Sequence, residues 1–297
     1  MTRTTHASRG SVLRPALAGF VALSLLAGAA CRAPRPESVP FWDERDDANP
    51  EQIDHGRWQA ILDAYVSPDE TGVNLFDYAA LQANTADRER LTGYLDDLQA
   101  IDPRRLAADE QMAYWINLYN ALTVHVVLGD YPVDSIREIH EGVIPLVGPW
   151  GDVRASVAGQ PLTLDDIEHR ILRPIWQDAR IHYAVNCAAY GCPHLLARAF
   201  TRDNLEELLE QGAHDFVNHP RGVEVLDEAF AVASSIYAPD WYREDFGETD
   251  ADVIAHFLEY AEPELAEQLR GFDGIMEFEY DWSLNAPPAA AETTNEP

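Results

Sequence analysis

The chain has 297 residues, a formal charge of −30 and 21 basic residues, every one of them arginine. A surface so acidic repels a polyanion, which sets nucleic acid aside as a partner. The missing lysine excludes a Schiff-base lysine, a lysine base and a phosphate-loop lysine together.

Arg3, Arg9 and Arg14 open the chain without any acid, and an apolar run from Pro15 to Ala30 follows. This is the layout of a secretory signal, and the run is shorter than the ~20 residues of a spanning helix. Gly28, Ala29 and Ala30 precede Cys31, so the stretch resembles a bacterial lipoprotein signal, cut before a cysteine that carries acyl chains. It departs from that pattern where Gly28 holds the usual place of a leucine and Leu26 is displaced by two. Residues 1–30 are therefore expected as a signal peptide, and Cys31 as the palmitate-bearing lipidation site of a cell-envelope protein that faces the periplasm. Ordinary cleavage to a soluble periplasmic protein and retention as an uncleaved anchor stay open. Removing residues 1–30 takes the charge to −33. Residues 31–54, acidic and proline-rich, read as a tether, residues 286–297 as a disordered tail, and residues 55–285 between them as one domain.

Within that domain, His55–Val66 and Thr85–Ala100 have helical spacing, the second with Leu91, Tyr94, Leu95 and Leu98 on one face. Ala108–Leu128 is apolar on every side and is expected as a buried central helix. Its Asn117 and Asn120 must find partners, because an unpaired buried amide costs roughly 1–3 kcal/mol. Asp152–Val157 reads as a strand entering a turn at 158–161. Thr163 with Asp166 reads as the cap of a short helix that Pro174 stops. Arg180–Cys187 alternates like a strand, with Ile181, Tyr183 and Val185 on one side and His182, Ala184 and Asn186 on the other. Asp203 with Glu206 reads as a capping box, Val223–Val225 with Phe230–Ala233 as a hairpin, Asp250–Tyr260 as a helix and Met276–Trp282 as a last extended piece. The mixture without regular alternation predicts an α+β fold, a central buried helix on a small mixed or antiparallel sheet with surrounding helices.

The strings Tyr114–Leu122 (YWINLYNAL), Ile167-Glu168-His169, Arg180-Ile181-His182, Cys187 with Cys192-Pro193, and Tyr280–Asn285 (YDWSLN) resemble the domain of unknown function 547 family, from about residue 70 to 285. That resemblance implies no activity; it lends weight to the polar positions in those strings. Two chemistries are compatible with them. Cys187 with His182 as base and Glu168 as orienting acid could form a thiol-dependent hydrolase or acyltransferase acting on peptide or cell-wall material. Strand parity opposes a direct contact of 182 with 187. Cys187 and Cys192, the even pair left once Cys31 is acylated, could instead close a disulfide. Asn117, Asn120, His169 and Asp281 are the candidate ligand-binding positions of a polar cleft that takes an envelope ligand or protein partner. Asn117, Asn120, Glu168, His169 and His182 could equally form a satisfied buried network that fixes packing of the central helix on the sheet, and Asp281 could simply accept hydrogen bonds from a neighbouring loop. A zinc site from Cys187, Cys192 and His169, His182 or His194 is a weak alternative, and neither a metal nor another cofactor is expected.

Overall fold

A computed structural model describes residues 33–143 and 146–288. The expected signal at 1–30, the lipidation site Cys31 and residues 289–297 of the expected tail lie outside the described residues.

The described part of the segment read as a tether lies against the body. Ala33 N–H donates to Asp240 O, Glu37 N–H donates to His169 O, and Trp42, in a 3-10 turn at Pro40–Trp42, is buried edge-on to Trp115. Helix α1 (Gly56–Tyr65) buries Trp58, Ile61, Leu62 and Tyr65 at i, i+3, i+4, i+7 spacing. It runs straight into β1 (Val66–Pro68), which pairs antiparallel with β2 (Asn74–Phe76). The sequence reading missed this ribbon, whose turn is closed by the Asp69 carboxylate accepting from Thr71 N and Val73 N. Helix α2 (Tyr78–Ala83) is capped by Asp77 and α3 (Thr85–Gln99) by Asn84. Helix α4 (Ala108–Asp130) is buried almost throughout, as its all-round apolarity requires, and packs against α3, α2 and the helical turn Asp166–Leu172.

The expected hairpin is present as β3 (Ala155–Val157) and β4 (Gln160–Leu162). Thr163 and Asp166 cap each other reciprocally, Asp166 N–H donating to Thr163 Oγ1 and Thr163 N–H to Asp166 Oδ2. The helix they open is a π turn, Asp166–Leu172, in which Arg173 N–H reaches five residues back to Glu168 O. Pro174 does not stop it. The proline sits in the first turn of α5 (Arg173–Trp176), where its missing N–H costs little, and left-handed Gln177 ends the helix.

The strand expected over Arg180–Cys187 is instead a helical turn, α6 (Ile181–Ala184), opened by the Asp178 carboxylate accepting from Arg180 N. Ile181, His182, Tyr183 and Ala184 are all buried, so the alternation did not separate an inner from an outer face, and the parity objection lapses. Helix α7 (Leu205–Val217) buries the expected stripe, but no Asp203–Glu206 capping box forms. Asn204 precedes the helix and turns its side chain back to Thr201 N, while Glu206 pairs with Arg180.

Strands β5 (Val223–Val225) and β6 (Phe230–Ser234) form the expected hairpin. After α8 (Arg243–Phe246), α9 (Asp250–Tyr260) with its Thr249–Asp252 capping box, and α10 (Pro263–Leu269), β7 (Ile275–Glu279) adds parallel to β6. The fold is α+β, helices dominating sheets of two or three strands. One core surrounds α4; a second joins α7, α9 and the three-stranded sheet through Tyr183, whose hydroxyl meets Tyr237 and His256. Among the described residues no helix is long and apolar enough to cross a membrane.

Candidate functional site

The loop after α6 carries both thiols, and α4 fixes its start. Asn120 Nδ2 donates to Ala184 O at 2.9 Å and Asn120 Oδ1 accepts from Asn186 N at 2.8 Å. Asn186 in turn donates to Pro193 O and accepts from Ala188 N and Asn285 Nδ2, and Asn285 accepts from the Tyr78 hydroxyl. Asn117 clamps Phe200 in the same way, donating to its carbonyl at 2.6 Å and accepting from its N–H at 3.0 Å. These amides are buried and engaged with protein, Asn120 holding the start of the thiol loop and Asn117 the chain at Phe200.

Residues 188–191 pair with 281–285 through Tyr190 N to Ser283 O, Gly191 N to Asp281 O and Asn285 N to Ala188 O. That pairing brings Tyr280 over the thiols. Cys187, half-buried, places Sγ 3.1 Å from the Tyr280 hydroxyl, and its backbone N–H donates to Cys192 Sγ at 3.1 Å. Cys192 is buried; both cysteines are free thiols. Burial opposes a Cys192 thiolate, yet the hydrogen bonds from the Cys187 thiol, the Cys187 N–H and Tyr280 outweigh it and pull the Cys192 thiol below its ordinary value. Hydrogen bonding to Cys192, then burial, pushes the Cys187 thiol up. Burial likewise keeps the Tyr280 hydroxyl protonated, so it remains a donor to sulfur. Behind the loop Arg221 Nη1 donates to Tyr190 O at 2.8 Å and Cys192 O at 2.7 Å, placing a buried guanidinium beside the pair.

Glu168, His169 and His182 gather at a second centre. His182 Nε2 donates to Asp245 Oδ2 at 2.6 Å, and its Nδ1 faces Glu168 Oε1 at 3.7 Å. Arg173, almost wholly buried, donates to the same Asp245 oxygen at 2.6 Å, to His169 Nδ1 at 3.0 Å and to Pro34 O at 2.8 Å. Burial works against the Asp245 carboxylate, but His182 and Arg173 hold it down at about 2. Burial, opposed by Glu168 and helped by Arg173, lowers His169 to about 4. The Tyr242 ring stacks on His182 with centroids 4.3 Å apart. Among the described residues no hydrogen bond or ion pair joins Cys187 to His182 or Glu168, so the three residues offered as a catalytic set fall into two neighbouring groups. Asp281, the remaining candidate, is exposed and accepts from Ser283 N at 2.8 Å. Cys31 lies outside the described residues. Among those residues no three His, Cys, Asp or Glu converge as a metal site, His194 being turned to Asn74 N and Asp215.

Sequence reading missed Arg221, Tyr242 and Asp245, which stand in no distinctive spacing, and named Tyr280 only within the string Tyr280–Asn285. The string Tyr280–Asn285 was the available signal for the last: its backbone is what covers the thiols.

No curated protein and no solved structure matches the chain. The family match starts just before α4 and ends with α7, a shorter span than the resemblance suggested, leaving Tyr280–Asn285 outside it. Residues 103–217 match the model of the family described as Protein of unknown function, DUF547.

Proposed function

We propose that the mature chain is an envelope lipoprotein, acylated on Cys31 and facing the periplasm, whose domain exchanges disulfides through Cys187 and Cys192 with thiols of an envelope partner. The observation that carries this reading is the asymmetry of the pair. Cys187 is the half-buried residue of the pair, and its N–H points at Sγ of the buried Cys192 from 3.1 Å.

In the oxidised protein a partner thiolate attacks Cys187 Sγ, the Cys187–Cys192 bond breaks, and its electron pair leaves on Cys192 Sγ. The Cys187 N–H receives that charge, and a leaving thiol of lowered pKa departs faster. A second partner thiolate then attacks the partner sulfur of the mixed disulfide. It releases the reduced Cys187, which takes a proton, and leaves the partner as a disulfide. Two partner thiols are oxidised and one protein disulfide is reduced; an envelope disulfide oxidant reverses the exchange. A hydrolase built on Cys187 and His182 finds less support, because His182 is committed to Asp245 at 2.6 Å and the Cys187 thiol is pushed up, not down.

The test takes the protein from the membrane fraction without reductant. Mass spectrometry should find acyl chains on a mature N-terminal Cys31 and a Cys187–Cys192 disulfide. With a small disulfide probe, Cys192→Ser should accumulate a mixed disulfide on Cys187, and Cys187→Ser should trap far less on Cys192. An unacylated N-terminus sinks the anchor; thiols that stay reduced and inert toward oxidant and probe sink the exchange.

A further inference from the structure

The exposed apolar side chains are unevenly placed. Val143 is 98% exposed, Leu146 50%, Val147 41% and Val153 61%, four of the seven large exposed apolar side chains among the described residues, all within one short stretch. Exposed apolar groups collected in one place mark a surface that something covers. The stretch is tied down: Arg137 Nε donates to Leu146 O at 2.8 Å and accepts back through its carbonyl from Gly148 N at 3.2 Å. The Arg137 guanidinium lies 4.9 Å over the Trp282 ring, and Trp282 packs on Trp150 at 5.8 Å, Trp241 at 5.7 Å and Tyr280 at 4.7 Å. All four aromatic rings are only half-buried.

Trp241 follows Asp240, and Asp240 O accepts from Ala33 N at 3.1 Å. Cys31 stands two residues before Ala33. Two extended residues span at most ~7 Å, so the described chain begins at Ala33, beside this aromatic cluster, within that reach of position 31.

We infer that the face formed by Val143, Leu146, Val147, Trp150, Trp241 and Trp282 rests on the lipid surface to which Cys31 is anchored. The inference rests on the lipoprotein reading above and adds the orientation of the domain. Tryptophan and arginine beside exposed aliphatic groups suit the headgroup level of a bilayer. Acids flank the face at Glu138, Glu141, Asp240 and Asp281, so an uncharged lipid surface fits it better than an anionic one.

The mature protein is placed on phosphatidylcholine vesicles with and without bromine in the acyl chains, and tryptophan emission is read. Trp42, Trp58 and Trp115 are buried, so quenching reports the half-buried Trp150, Trp176, Trp241 and Trp282, and the part that depends on Val143 and Val147 reports the face. Brominated chains should lower the emission, and the loss should shrink in Val143→Asp/Val147→Asp while acylation and retention on the vesicles stay as in the parent. It should also be smaller on phosphatidylglycerol vesicles. Acylated, vesicle-bound protein with equal emission on plain and brominated lipid overturns the orientation; the face then belongs to a protein partner. If mass spectrometry finds no acyl chain, the anchor reading fails by itself. The unacylated protein mixed with the same vesicles then decides the face, quenching upholding it and unchanged emission overturning it.

Discussion

Gly191 lies flat against Asp281: its N–H donates to the Asp281 carbonyl at 2.8 Å, and a Cβ at 191 would stand 2.6 Å from the Asp281 nitrogen. No side chain fits that approach without moving backbone. The contact carries the consequence that Tyr280, one residue earlier in the facing segment, is held over Cys187. Gly191→Ala is expected to cost about 1–3 kcal/mol, the usual penalty of overpacking, and to make Cys187 more accessible to alkylation. Urea denaturation and a labelling time course check both. An unchanged midpoint with unchanged labelling would mean that the two segments part without loss.

Asn117 and Asn120 separate packing from recognition. Asn117→Ala leaves the buried Phe200 N–H and carbonyl without partners and opens space beside α4, a loss expected at roughly 2–4 kcal/mol. Because Asn117 touches neither thiol, the trapped mixed disulfide at Cys187 should form in this variant as readily as in its parent background below the unfolding transition. Asn120→Ala should differ, since it frees Asn186 and the start of the thiol loop. Equal effects on trapping would contradict the division.

The central helix was legible because eighteen or more residues of all-round apolarity admit one solution, burial. The β5–β6 hairpin and α9 were legible from turn and cap chemistry, which is local. Glu168, His169, His182, Cys187 and Cys192 could be named from the sequence, but their partners could not. Asp245 meets His182 across 63 positions of chain and Tyr280 meets Cys187 across 93, and no spacing announces such pairs. Arg180–Cys187 misled for a different reason. Period-2 patterning reports a strand only when one side faces water, and here both sides are buried.

Asp245 offers a sharp test of the second centre. Arg173 is buried, and Asp245 is its shortest charged contact at 2.6 Å; Glu244 is the next at 3.4 Å. Asp245→Ala removes the main countercharge and is expected to cost about 3–5 kcal/mol, as other broken buried pairs do. Arg173→Met in the same background should recover part of the loss, because it removes the unpaired charge itself. Thermal or urea unfolding of the three variants gives the coupling. Strict additivity would show that the pair is not the unit that stabilises the centre.

Acid should destabilise the protein between pH 6.5 and 4, through histidines that the fold keeps neutral. Burial lowers His55 from 6.5 to about 4 against the pull of Asp54, and lowers His169 to about 4 against Glu168, with Arg173 and His182 adding to the effect. Within that window the unfolded chain binds protons on both rings and the folded chain does not, so stability falls as pH falls. Asp165 acts in the opposite sense. Burial, Glu168 and Asp166 raise it from 3.8 to about 7, so the folded chain holds a proton there that the unfolded chain releases. Two buried rings, joined by half-buried His256, which burial also lowers to about 4, face one carboxyl whose side chain is 37% exposed, and solvent screens the latter, so the net is a loss. The expected decline from pH 6.5 to 4.5 is on the order of 1–3 kcal/mol. Asp245, held at about 2, contributes only below its unfolded value of 3.8 and leaves this window untouched. Urea denaturation at pH 6.5, 5.5 and 4.5 checks the slope. Asp165→Asn should steepen it by removing the opposing carboxyl, and His169→Gln should flatten it by removing one of the lowered rings. A protein that gains stability on acidification, or a slope that Asp165→Asn leaves as it was, would place the controlling proton elsewhere.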